Sequence, residues 1–378
     1  MNFNHKWVVV LSAALLLLTA CAPAISQTPS LSPTAAPAVS QLPAPTATQS
    51  LPDGAPQTLT VMTHDSFAAS EEVIAGFERL NNAKVNFLLG GDAGSALNRA
   101  VLTKASPLAD VFYGVDNTFL SRALREDIFE PYDSPTLADF PNVYKLDAQN
   151  RALPVDFGDV CINYDKAYFE QKELVVPQSL QDLTKPEYKG LLVVENPATS
   201  SPGLAFLLAT ITDFGVENYL DFWKALRAND VTVVNDWSTA YYTNFSGSSG
   251  KGQQPLVVSY GSSPVAELLF SSKPLSEPPT ASIVGKNTCF RQVEFAGILK
   301  GTAKRALAEK WIDFMLGASF QEDIPLQMFV YPVNSQAKLP EEFVKFAQIP
   351  TQPAMLPIEM IDQNREQWIT AWDEVTLR

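Results

Sequence analysis

The chain has 378 residues, with 41 acidic against 27 basic side chains and a formal net charge of -14. That balance argues against nucleic acid and against charge-driven binding to an anionic membrane, and it is compatible with a cationic ligand. Histidine is confined to His5 and His64 and cysteine to Cys21, Cys161 and Cys289, which removes most zinc sites and leaves one candidate base for a serine triad beyond the amino end.

Lys6 precedes an apolar run from Trp7 to Leu18, which is short for a bilayer span and ends in Leu18-Thr19-Ala20-Cys21. Residues 1–20 therefore read as a signal peptide. The final four match the bacterial lipoprotein box, so Cys21 is expected to carry lipid and anchor the chain outside the cytoplasm. Residues 22–56 hold eight prolines and no charge before Asp53. Such a segment cannot bury enough apolar surface to order itself, so 21–57 is expected to be a tether. The ~320 residues from Thr58 exceed what one core usually supports, and two lobes are the default.

Thr58–Met62 reads as a strand followed by the loop His64-Asp65-Ser66-Phe67. Ser70 caps a helix whose acidic first turn is Glu71-Glu72 and whose Val73, Ile74, Phe77 and Leu80 fall at helical spacing. A strand over Lys84–Leu89, a helix from Asp92 to about Lys104 and a strand over Ala109–Gly114 follow, leading to Asp116-Asn117. This alternation indicates an α/β fold in which ligands gather beyond the carboxyl ends of strands, where His64, Asp65, Ser66, Asp116 and Asn117 fall.

Ala152–Tyr164 is long enough to leave one lobe and enter the other, and Cys289–Leu299 is the natural return crossing. The cysteines at 161 and 289 are either two buried thiols or one disulfide. Ser179 is expected to cap a short helix. After the strand Leu191–Glu195, the hydroxyls of Thr199, Ser200 and Ser201 stand at the start of a helix, where they cap it or meet an anion. Val231–Val234 is β-type and leads into Asn235-Asp-Trp-Ser-Thr-Ala-Tyr-Tyr242. If that stretch is helical, Trp237 and Tyr241 share a face and can hold a flat ring, and Asp236 beside them favours a cationic one. Pro255–Tyr260 is a strand, and Gly261-Ser-Ser-Pro264 opens a helix. In the helix 301–316, Ala306, Leu307, Trp311, Phe314 and Met315 are expected to be buried. Met328–Val333 ends in a strand or turn, and Trp368 and Trp372 pack a closing helix over 359–374.

The lipoprotein signal, the tether, the two α/β lobes and the two crossing strands resemble the class II solute-binding proteins of ABC importers. Gly301-Thr-Ala-Lys-Arg-Ala-Leu-Ala-Glu-Lys-Trp-Ile-Asp-Phe-Met-Leu-Gly-Ala-Ser-Phe-Gln321 looks like the helix-and-Gln signature of that superfamily. Thr63–Ala68, Ala109–Asn117, Thr199–Leu204, Asp236–Tyr241, Ser259–Pro264 and Val330–Val333, in this order and spacing, resemble the thiamine-binding proteins of this class, and the likeness runs from Thr58 to the carboxyl end. The resemblance implies a two-lobed fold, with 58–156 and about 292–320 as one lobe, 157–291 as the other and 321–378 across both. It implies a monomer without cofactor or metal that delivers thiamine or a thiamine phosphate to a permease.

By the same resemblance Trp237 and Tyr260 line the cleft, the Thr199-Ser200-Ser201 segment lies near the phosphate end, and Asp65, Ser66 and Asp116 come from the opposite lobe. The sequence departs from that family where Ala266 replaces a ligand-facing tyrosine, Phe329 a tryptophan, and His64 a frequent tyrosine. Phe329 can still stack, whereas Ala266 cannot, so a looser cleft or a related pyrimidine is the alternative. Further readings are a carrier of polyamine or of ferric ion, the latter through Tyr241-Tyr242, and a thiaminase-like enzyme with Cys161 as nucleophile.

Overall fold

The computed structural model describes residues 54–248 and 252–378. The expected signal peptide, the expected lipid attachment at Cys21 and the expected tether up to Asp53 lie outside the described residues, as do residues 249–251.

The chain opens as β1 (Gln57–Thr63), α1 (Glu71–Asn81), β2 (Ala83–Leu89), α2 (Ala93–Leu102) and β3 (Val111–Asp116). The start of α1 follows from its sequence: the Ser70 hydroxyl accepts from the Val73 amide at 3.4 Å, and the acidic first turn suits the positive helix end. Asn82 stops it in the left-handed conformation at φ 47°, one of the few tolerated there without glycine. Next come α3 (Leu120–Arg125), β4 (Phe129–Glu130), β5 (Leu153–Asp165), α4 (Lys166–Gln171), β6 (Leu192–Glu195), α5 (Ser201–Phe214), α6 (Tyr219–Ala228), β7 (Thr232–Val234) and β8 (Leu256–Tyr260). The chain closes with α7 (Ser263–Leu269), β9 (Thr280–Ile283), β10 (Phe290–Leu299), α8 (Arg305–Leu316), α9 (Ala318–Gln327), β11 (Tyr331–Pro332), α10 (Glu341–Phe346) and α11 (Ile358–Thr376).

The main strands form one sheet in the order β2-β1-β3-β10-β5-β8-β6-β7. β1, β2 and β3 are parallel at one end, as are β8, β6 and β7 at the other. Between them β10 and β5 run antiparallel to each other and to their outer neighbours. These are the two long crossing strands expected from the sequence. Consecutive strand residues feed opposite faces: Val111 and Tyr113 join the cluster around Trp311, while Phe112 joins the one around Trp223. Trp372 meets Trp223 edge to face at 5.5 Å, so the two carboxyl-terminal indoles are packing residues as expected. On α8 two expectations fail: Ala306 is exposed at the start of the helix, where Leu307 and Ala308 turn inward instead, and Phe314 is only half-buried.

Cys161 on β5 and Cys289 just before β10 are joined by a disulfide and fully buried. The register that pairs Phe290 with Val160 brings the two cysteines opposite each other. This overturns the reading of Cys161 as a nucleophile, because a disulfide sulfur bears no thiolate to attack with.

Candidate ligand cleft

The site is assembled where strands end. His64, Asp65 and Ser66 follow β1, Asp92 opens α2, Ser201 opens α5, Trp237 follows β7, and Tyr260 closes β8. Together with Ser238, Ser263, Ala266, Phe270, Glu294, Gln327, Met328 and Phe329, they surround a cavity of about 380 Å³, the size of a small organic ligand.

Trp237 is held on two sides. Its backbone amide donates to Asp92 Oδ2 at 3.0 Å, and its indole Nε1 donates to Ser259 Oγ at 2.9 Å. The first bond joins a segment after β7 to the start of α2, elements from opposite ends of the sheet order. Tyr241 does not face Trp237 across a gap. The two rings stack directly at 4.9 Å with an 18° tilt, and Tyr241 is 1% exposed. A π-helical turn over Thr239–Asn244 tucks the phenol behind the indole, which corrects the expectation that the pair holds a ring between them. Tyr242, 56% exposed, meets both rings edge-on and completes the aromatic rim. Asp236 does not border the cavity: its two oxygens accept from Thr239 N (2.7 Å) and Oγ1 (2.8 Å), capping the turn.

Tyr260 and Phe329 form further walls. A Cβ on Gly158 would come within 2.7 Å of the Tyr260 ring, so the strand needs a glycine there to let the phenol lie flat. Phe329 sits at φ 56°, a conformation that a bulky residue keeps only when its surroundings impose it. Ser262 donates to its carbonyl, and Phe270 meets its ring edge-on at 5.5 Å. Phe270 lies one helical turn after Ala266, so a ring stands beside the position where the expected tyrosine is missing.

The polar floor is acidic. Glu294 lies 3.5 Å from His64 Nε2, and Tyr113 Oη is 2.9 Å from Glu294 and 2.6 Å from Asp156. One phenol hydrogen cannot serve two carboxylates, so one of the acids must carry a proton. Burial and the charge of Glu294 push Asp156 well above the usual carboxylate range. Burial also raises Glu294, but His64, Asp156 and Tyr113 more than offset it and keep Glu294 ionised. Asp156 thus donates to Tyr113, which donates to Glu294. A Cβ on Gly114, at φ 103°, would strike the His64 ring at 2.4 Å, so this glycine admits the imidazole to its place.

Of the residues singled out from the sequence, His64, Asp65, Ser66, Ser201, Trp237, Tyr241, Tyr260 and Phe329 border the cavity. The other four stand behind it. Asp116 is fully buried and accepts from Thr118 N (2.8 Å) and Oγ1 (2.6 Å), from Ser201 and from Gln292. Burial, only partly countered by these bonds, pushes it up to about 6. Asn117 pins β3 to β10 by donating to Arg291 O at 3.1 Å and accepting from Val293 N at 3.0 Å. The Thr199 hydroxyl donates to Asn235 O at 2.7 Å, and Ser200 is fully buried. Ser201 alone of the three hydroxyl residues reaches the cavity, and its hydroxyl is already engaged by Asp116. Asp92 and Glu294 were missed. Asp92 carries a signal, as the capping residue of α2 after a strand and a Gly-Gly turn, whereas Glu294 lies within a strand buried along its length.

The two-ended sheet, the crossing strands and the cleft across them define a solute-binding protein. The chain belongs to the bacterial extracellular solute-binding protein family, whose model matches residues 106–350. It is a binding protein rather than an enzyme. It is similar to the thiamine-binding periplasmic protein of Salmonella typhimurium strain LT2, 32% identical over 332 residues, 86% of this chain and 96% of that protein. A solved periplasmic thiamin-binding protein superposes with a TM-score of 0.75 at 28% identity, covering 87% of this chain and 99% of the other. The ferric-binding protein of Campylobacter jejuni shares the fold at a TM-score of 0.68 and 19% identity, over 84% and 99% of the two chains.

Proposed function

We propose that the cleft captures thiamine and that the chain delivers it to the permease of an ABC importer. The observation that carries this reading is the lining itself. Trp237, Tyr260 and Phe329 offer flat apolar surface around Asp65, Asp92 and Glu294, and no lysine or arginine lines the cavity among the described residues. A thiazolium is a permanent cation and an aminopyrimidine a flat ring with donors and acceptors. Each desolvated ring facing such a cation contributes about 0.5–2 kcal/mol. The names of the relatives at about 30% identity point the same way. In this reading the sheet ends are lobes, 58–156 with about 292–320 and 157–291, hinged at β5 and β10 with 321–378 across both. The chain acts as a monomer held to the membrane by lipid on Cys21.

Calorimetric titration tests the assignment. Thiamine is expected to give saturable heat, and the absence of heat overturns the ligand. The start of α5 is already faced by the Asp116 carboxylate through Ser201, so a phosphate gains little there. Thiamine diphosphate is therefore expected to bind no more tightly than thiamine, and a tenfold preference for the diphosphate would refute a cation-centred site. Trp237→Ala is expected to weaken thiamine binding tenfold or more, about 1.4 kcal/mol. Trp237→Phe, which keeps a ring but loses the bond to Ser259, should fall between. Unchanged affinity in Trp237→Ala would remove the indole from the site.

A further inference from the structure

We propose that His64 is an exchangeable part of the cation site: in the empty cleft its protonated imidazole neutralises Glu294, and an entering organic cation takes its place and expels the proton. The inference rests on the cationic-ligand reading above and adds to it a stoichiometry and a pH dependence.

The geometry is specific. His64 and Glu294 both border the cavity, their side chains 12% and 11% exposed, with Nε2 3.5 Å from the carboxylate. At that separation the imidazole is a counter-charge rather than a hydrogen-bonded fixture, and Nε2 has no hydrogen-bond partner although it is buried. The groups facing His64 are acidic from every side: Asp65 in its own loop, Asp92 at the start of α2 and Glu294 on β10. The Tyr113 ring of β3 lies 5.6 Å away, and Asp156 on β5 and Asp116 on β3 stand behind Glu294. Burial pushes the imidazolium down, but Glu294, Asp92 and Asp65 more than offset it and hold His64 above its ordinary 6.5. A second cation in the same water-poor space reverses this balance, because like charges sharing a site disfavour each other.

The sign follows. The empty cleft holds the proton more tightly than the occupied one, so acid opposes binding. Affinity is expected to fall by up to about tenfold per pH unit below the His64 pKa of the empty protein and to level off above it. Asp116, at about 6, and Glu267, raised by burial to about 7 against Tyr241, add slopes of the same sign, so a pH profile alone does not isolate His64. The full chain is therefore titrated with thiamine between about pH 6 and 8, in buffers of different ionisation enthalpy, as wild type and as His64→Gln. The wild type is expected to release about half a proton per thiamine at the His64 pKa of the empty protein, rising toward one below it, and the variant distinctly less. In parallel, the imidazole resonances of His64, assigned by comparison with His64→Gln, should move from the protonated to the neutral position when thiamine is added at constant pH. Thiamine binding with an unmoved His64 resonance, or with the same proton count in His64→Gln, overturns this inference and leaves the ligand reading standing. No heat with thiamine at any pH overturns both.

Discussion

Replacing Cys161 and Cys289 together by alanine is expected to cost about 3–5 kcal/mol of folding free energy and to lower the melting temperature by about 10 °C. The bridge closes a loop with a sequence separation of 128, so much of its effect comes from restricting the unfolded chain. In the folded state it locks β5 against β10, the two strands on which both ends of the sheet depend. Both sulfurs are fully buried, so the alanines also leave a small void in place of packed atoms. Thermal melts with and without reductant check this: reduction should lower the wild-type midpoint toward that of the variant and leave the variant unmoved. A reduced wild type that melts where the oxidised one does would show that the bridge contributes nothing. Thiamine affinity measured well below the melt is expected to be retained, since the cysteines support the cleft from behind and contribute no atom to its lining.

Much of the fold was legible because its signals are local. Ser70 with its acidic first turn, the period of Val73, Ile74, Phe77 and Leu80, and the lengths of the two crossing strands are patterns within one element. The site was legible only where chemistry sat on exposed loops. His64 and Trp237 announced themselves as unusual residues after strands, Phe329 was singled out only through the family resemblance, and all three border the cavity. Asp116 and Asn117 gave the same signal and ended behind the cleft, because hydroxyl and amide partners brought in from α5 and β10 absorb their polar atoms. Glu294 gave none. It is one acid in a strand buried on both faces, and its role depends on His64 and Tyr113, which stand 230 and 181 positions away in the chain. The spacing of Trp237 and Tyr241 suggested a clamp under α-helical geometry. The wider π-helical turn made it a stack instead, a distinction that composition and spacing do not carry.

Glu294→Gln is expected to weaken thiamine binding by roughly thirtyfold, about 2 kcal/mol, while leaving the fold intact. The substitution keeps shape and removes charge, so the comparison isolates the carboxylate as counter-ion. Its charge matters because Glu294 is the ionised end of the buried chain Asp156–Tyr113–Glu294, in which Asp156 already holds a proton. Asp156→Asn, a neutral group replacing a neutral group, should therefore change affinity far less than Glu294→Gln, although the two residues sit on the same phenol. Stability should fall together with affinity: His64, Asp156 and Tyr113 hold Glu294 below its ordinary range, so its charge stabilises the fold at neutral pH, and the amide is expected to lower the melting temperature by a few degrees. Calorimetry and thermal melts on the two variants decide the matter. Equal losses of affinity in both would mean that the network positions the cleft wall rather than supplying charge. A Glu294→Gln protein that binds thiamine like wild type would move the counter-charge to Asp92 or Asp65, the two other carboxylates that reach the cavity.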